Sequence, residues 1–167
     1  STKTVTAIVA LGFKDYSTGM YDFSDKDDGV NFANYNGVFG MYMPDAMSSF
    51  TINGETFYVT ANEGDARDYW FDAADEADCL AAGGLEYDED DGCLAYSEEM
   101  RLDDFDLDDA TFPNEGDLLD KTELGRLKTT TANGCGDTDS DGDLDFVCSY
   151  GARSFTIWDS SGDLVWD

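Results

Sequence analysis

Histidine is absent from these 167 residues, and only nine lysines and arginines stand against 38 aspartates and glutamates. The first absence excludes a histidine-based catalytic triad within the chain and weakens the case for zinc, whose usual sites draw on imidazole. The second leaves a formal charge of −29 and argues against nucleic acid as a partner, because phosphate backbones are bound by clustered cations. No stretch approaches the roughly 18 consecutive apolar residues of a membrane-spanning helix, and no basic, apolar signal segment opens the sequence. The chain therefore reads as a mature or trimmed piece without a membrane span. A Gly-rich phosphate loop and a Gly-x-Ser-x-Gly elbow are missing as well. Helix-period segments between the apolar runs are also missing, which argues against a parallel α/β architecture.

What is present points to a folded chain. Hydrophobic residues make up 41% and aromatics 14%, spread along most of the length, so the charge does not signal disorder. Carboxylates at this density repel one another, and bound cations, a salty medium or both must offset them. A marine or halophilic origin is expected. The four cysteines form two local pairs, Cys79 with Cys93 and Cys135 with Cys148, each closing a short polar loop. Two disulfides are the economical reading, with four free thiols in a cytosolic protein as the alternative. Closing a loop of about 15 residues contributes roughly 3 kcal/mol, and such bonds persist in oxidising compartments. Neither pair has the close Cys-x2-4-Cys spacing of a zinc site.

Strand signals dominate. Residues 4–11 (TVTAIVAL) are rich in β-branched side chains. Residues 45–52 (DAMSSFTI) and 55–61 (ETFYVTA) flank Asn53-Gly54, the strongest short hairpin signal. A second hairpin is expected where 154–158 (SFTIW) and 164–166 (LVW) flank the turn 159–163. Residues 71–120 between them are acidic and irregular, with a strand expected around 100–105 and a short helix near 115–124. They read as an insertion stapled by Cys79 and Cys93 and not as a core. The fold class is all-β, with antiparallel hairpins bearing long connections, as in a propeller or a sandwich.

Residues 135–148 (CGDTDSDGDLDFVC) carry five aspartates at alternate positions between two cysteines. Asp137, Asp139, Asp141, Asp143 and Asp145, with Gly142 for the turn, follow the Asp-x-Asp-x-Asp-Gly pattern that folds side chains around one cation. Calcium, which accepts six to eight oxygens, suits this supply better than magnesium. The twelfth position, where an EF-hand carries a bidentate Glu, is Cys148, and no helices flank the loop. An EF-hand-like loop held between strands is therefore expected, with the remaining ligand coming from elsewhere or from water. A weaker candidate lies in 22–31 (DFSDKDDGVN), where Asp25, Asp27 and Gly29 have partial loop spacing beside the competing Lys26. Residues 102–109 (LDDFDLDD) lack a glycine turn and read as a solvated strand edge, and 87–91 (YDEDD) as a charged loop.

For catalysis the informative group is Glu63, Asp65, Arg67 and Asp68, just after a strand, with Arg153 in a corresponding place on the next hairpin. Carboxylates beside guanidinium groups can bind a metal and a phosphate together. The alternative is that the arginines pair with neighbouring carboxylates and fix the loops.

The segments 44–46 (PDA), 59–69 (VTANEGDARDY), 124–127 (LGRL), the Asp-rich loop and 151–159 (GARSFTIWD) occur in this order. The series resembles the choice-of-anchor I family of secreted bacterial proteins. That resemblance implies a propeller-like domain related to esterase-like phytases and found in chains described as alkaline phosphatases. The domain it resembles is considerably longer, so 1–167 is expected to be a partial β-propeller. Two functions follow as expectations. One is a secreted or cell-surface calcium-binding module with a structural, adhesive or matrix role, its partners being surface or matrix proteins or the remaining blades. The other is part of a calcium-dependent extracellular phosphoesterase, with Glu63, Asp65, Arg67 and Arg153 as candidates for catalysis.

Overall fold

A computed structural model of the chain describes residues 4–5, 7–132 and 135–167. In chain order the elements are β1 (Phe13–Asp15), β2 (Val38–Met41), β3 (Ala46–Ile52), β4 (Glu55–Asn62), β5 (Asp68–Phe71), α1 (Glu76–Ala81) and β6 (Glu86–Asp88). Then come β7 (Gly92–Ser97), β8 (Met100–Arg101), α2 (Glu115–Leu118), β9 (Lys128–Thr129), β10 (Val147–Ser149), β11 (Ser154–Trp158) and β12 (Leu164–Trp166). The helices span only six and four residues, so the chain is all-β.

The strand expected at 4–11 does not form among the described residues; Thr6 lies outside them. Composition supplies β-propensity, but a strand also needs a neighbouring edge. Val5 and Ile8 are 77% and 93% exposed, and Val9 lies against the turn glycine Gly162, which offers no ladder.

Both expected hairpins are present, and they join into one antiparallel sheet in the order β12-β11-β4-β3. Asn53 (φ 54) and Gly54 (φ 87) both take the left-handed conformation that a two-residue type I′ turn requires. Between β11 and β12 the register shifts after Ile157, a bulge on the ribbon. Strand alternation gives this sheet two unlike faces. The inner face buries Thr60, Asn62, Thr156 and Trp158. The outer face carries Phe50 stacked on Phe57 at 5.5 Å and Phe155 against Trp166 at 4.8 Å. Phe155 and Trp166 are about half exposed there.

The inner face is polar, and its groups satisfy one another. Asn62 donates to Thr156 (2.6 Å) and accepts from Thr60 (2.8 Å), whose hydroxyl accepts the Trp158 indole N–H at 2.9 Å. A buried polar group left unpaired costs about 1–3 kcal/mol, so closing this network is a condition of burying it.

A second sheet runs β1-β2-β10-β9-β8. Its β2–β10 pair is parallel, so the architecture is not purely antiparallel. The main core packs on this sheet and contains Tyr16, Tyr35, Val38, Leu102, Leu107, Phe112, Leu124, Leu144 and Val147.

Residues 71–120, read from sequence as one acidic insertion outside the core, divide in two. The first part, with β5, forms the separate sheet β5-β7-β6, and Cys79 in α1 is bonded to Cys93 in β7. The second part joins the core through Leu102, Leu107 and Phe112, all nearly or fully buried. The expected strand at 100–105 shortens to β8 and gives way to a 3-10 turn at Leu102–Asp104, and 102–109 is not a strand edge. Isolated apolar anchors among outward-facing aspartates escape a reading based on average composition.

Two glycines fix how the sheets meet. A Cβ at Gly151 (φ +71) would lie 1.7 Å from the Glu63 carbonyl oxygen, and one at Gly64 (φ +67) would lie 2.2 Å from the Gly151 nitrogen. Backbone therefore meets backbone where β4 and β10 end, bringing Glu63 and Asp65 beside Tyr150 and Arg153.

Candidate functional site

The Asp-rich loop is tied at its base by the Cys135–Cys148 disulfide, with Cα atoms 5.7 Å apart, and by a bridge between Gly136 and Phe146. A third tie comes from outside the loop. Leu144 pairs with Leu107, its N–H donating to the Asp106 carbonyl (2.9 Å) and its carbonyl accepting from Asp108 N–H (3.1 Å). Both leucines are buried, so the apolar side chain inside the acidic repeat is an anchor.

Above that base the loop curls on itself. Ser140 (φ 68) and Gly142 (φ 111) supply the left-handed turns. Asp137 accepts the backbone N–H groups of Ser140 (2.5 Å) and Gly142 (3.1 Å), and Asp145 accepts that of Thr138 (2.6 Å). The result brings one carboxylate oxygen from each of Asp137, Asp139 and Asp145 within 4.8 Å of one another. This is the one such acidic cluster among the described residues.

The electrostatics follow from crowding. The charge of Asp141, then burial, raises the Asp139 carboxyl above its ordinary value. Burial, then the charges of Asp141 and Asp108, push Asp143 up to about 6. Asp145 is held low instead, by hydrogen bonds from Thr138. One carboxylate oxygen of Asp143 is buried without a hydrogen-bond partner. Convergent hard oxygens, like-charge repulsion and an orphaned buried oxygen together fit a hard dication. Asp137, Asp139 and Asp145 would hold it, Asp137 and Asp145 keeping free lone pairs after their backbone bonds.

Asp108 was not among the sequence candidates. It is brought to the loop by Leu107, and the signal that could have found it is the lone leucine within Asp106-Leu107-Asp108-Asp109. Its carboxylate caps the next turn, accepting from Thr111 N–H at 2.8 Å, and lies below its ordinary value through hydrogen bonds from the Thr111 side chain and backbone.

The weaker loop is not gathered in this way. Asp25 pairs with Lys26 and Arg126, each at 3.2 Å, while Asp27 accepts from Asn31 at 2.6 Å.

The candidates after β4 are split. Arg67 forms a two-point pair with Glu98, at 2.6 and 3.2 Å, on the surface. Glu63, Asp65 and Arg153 instead line a cleft of about 490 Å³, together with Asp25, Glu99, Arg101, Arg126 and Lys128. Of these, Arg101, Arg126 and Lys128 come from the stretch around β8 and β9, which sequence reasoning did not connect with β4.

A family model described as the choice-of-anchor I domain matches residues 1–167. Comparison with curated proteins and with solved structures gives no match.

Proposed function

This chain belongs to the choice-of-anchor I family, a family of secreted or cell-surface bacterial domains, and from that premise we propose that it is a calcium-binding module with a structural, adhesive or matrix role. The carrying observation is the convergence of Asp137, Asp139 and Asp145 within 4.8 Å in a loop that also holds the unpartnered buried oxygen of Asp143. On this reading calcium supplies two positive charges to a loop whose own carboxylates repel. Asp137, Asp139 and Asp145 bind it, Gly142 permits the curl, and the Cys135–Cys148 bond keeps the loop ends together. The two disulfides support an oxidising, extracytoplasmic setting. No helix among the described residues is long and apolar enough to cross a membrane.

The apolar outer face of the β12-β11-β4-β3 sheet supports a packing partner, either a surface or matrix protein or further blades of a propeller. The reading as part of a calcium-dependent phosphoesterase has less support, because Arg67 is paired with Glu98 and does not line the cleft that holds Glu63, Asp65 and Arg153.

Calorimetric titration of metal-stripped protein tests the proposal. One calcium per chain is expected to bind, and the Asp139→Asn/Asp145→Asn double variant is expected to lose it. Equal uptake by both proteins would remove this site.

A further inference from the structure

Positive charge is scarce in this molecule, and its distribution is uneven. Lys14, Lys26, Arg67, Arg126 and Lys128 each lie 2.5–3.2 Å from a carboxylate. With 38 acidic residues against nine basic ones, carboxylates are plentiful as partners. Arg101 and Arg153 depart from it: neither makes an ion pair with any described residue, and both line the same cleft of about 490 Å³. Lys121, the other described cation without an ion pair, lies outside that cleft.

Both guanidinium groups are nonetheless held. Arg101 donates to the Arg126 carbonyl oxygen. Arg153 donates to the Asp22 carbonyl at 2.7 Å and sits 4.9 Å over the Phe23 ring. Its backbone takes φ 49, left-handed for a residue with a Cβ, a conformation that costs about 1–3 kcal/mol and persists where surrounding structure imposes it. Anchoring by carbonyls, and for Arg153 by a ring, orients each head without engaging it in an ion pair. Each guanidinium has five N–H donors, so donors remain on both after these bonds.

We propose that the cleft is a binding site for a small hydroxylated oxyanion, whose charged group is received by Arg101 and Arg153. A planar fork of donors matches the paired oxygens of phosphate or carboxylate, and two forks meeting one group give a two-sided clamp. The cleft's own carboxylates decide the rest of the ligand. Asp25 and Glu99 are neutralised by Arg126 and Lys128. Glu63 and Asp65 remain as acceptors beside the clamp, which favours a ligand with hydroxyl donors next to its charge over a bare anion. Sugar phosphates and sugar acids share this chemistry.

The test is calorimetric titration of the full chain at low ionic strength with glucose 6-phosphate, gluconate, inorganic phosphate and glucose. At least one hydroxylated anion is expected to bind more tightly than phosphate or glucose, and which one binds identifies the oxyanion. Arg101→Gln and Arg153→Gln should each weaken it by about tenfold or more, on the scale of a lost charge-assisted hydrogen bond. Arg67→Gln, with the same change in net charge outside the cleft, should leave it unchanged. No binding, tighter binding of free phosphate or glucose, or equal loss in the Arg67 variant would overturn the proposal. Should either cleft variant fail to fold, amide shifts of the native protein on titration decide: movement at Gly64, Leu127 and Tyr150 supports the site, and movement confined elsewhere overturns it.

Discussion

Lys14 in β1 places its ammonium 2.9 Å from the carboxylate of Asp167, joining the five-stranded sheet to the last residue after β12. The same carboxylate accepts from Tyr42 at 3.0 Å, Ser154 at 2.5 Å and Thr156 at 2.7 Å. Both partners are mostly buried, so this hub is a hydrogen-bonded charge pair and not a surface bridge. The tyrosine hydroxyl is driven well above its ordinary range, by burial first and then by Asp167.

Replacing Asp167 by alanine should therefore cost about 3 kcal/mol, since it strands a buried ammonium and three hydroxyl donors. The sign of the accompanying pH effect is fixed by linkage. Burial alone would raise the Asp167 carboxyl, but hydrogen bonds from Ser154, Thr156 and Lys14 outweigh it and leave it below its ordinary 3.8. The folded state then binds that proton less tightly than the unfolded one. Its stabilisation is present above 3.8 and lost as pH falls through the lower folded value. Urea unfolding between pH 7 and pH 3 should show an acid loss in the native chain that is smaller in Asp167→Asn. Equal acid sensitivity would assign the loss to other carboxylates.

Gly54→Ala and Gly151→Ala separate two roles of glycine. Both sites have positive φ, but a Cβ at Gly54 meets nothing within 4 Å, whereas at Gly151 it meets Glu63 backbone at 1.7 Å. The first change should cost about 1–2 kcal/mol of backbone strain alone. The second should cost several-fold more, because the ends of β4 and β10 must separate. Equilibrium unfolding of the two variants checks the order, and similar losses would mean the close approach relaxes freely.

The Cys135–Cys148 bond and the aspartate loop should act together, because the bond draws together the loop ends that frame the oxygens of Asp137, Asp139 and Asp145. Cys135→Ser/Cys148→Ser is expected to lower calcium affinity, since the loop must then be ordered at the moment of binding. Cys79→Ser/Cys93→Ser, at the other disulfide, should leave that affinity unchanged. Loss in neither variant would make the bridge incidental to binding.

Arg67→Ala should leave the thermal midpoint near that of the native chain, because an exposed pair with Glu98 is screened by solvent. Hydrolysis of a chromogenic phosphate ester should be at background in both proteins. Calcium-dependent turnover by the native chain that falls by about 10²-fold in the variant would restore Arg67 as a charge-stabilising group.

Several features were legible one residue at a time. Asn53-Gly54 set its turn, because two consecutive left-handed residues are open to few sequences, and the disulfide pairing followed from short spacing. The second hairpin was legible from its apolar runs. The alternating aspartates were read as five side chains folding around one cation, and the structure gathers Asp137, Asp139 and Asp145 but not Asp141 or Asp143. Other features depended on distant partners. The strand expected at 4–11 does not form among the described residues. Leu102 and Leu107 entered the core although their neighbours are mostly acidic, Phe112 joined them, and Arg67 found Glu98 while Arg101 and Arg153 met in one cleft.

By itself, then, the sequence determined the all-β class, the hairpins, the stapled loops and the aspartate repeat, since each rests on backbone preferences and contacts within about a dozen residues. Tertiary structure alone decided which carboxylates converge, that Asp108 is bonded to the loop at Leu144, and which arginines make no ion pair. Those outcomes depend on Leu107 meeting Leu144 and on the ends of β4 and β10 closing through Gly64 and Gly151. Such long-range packing sets desolvation and charge separation, and no local pattern encodes either.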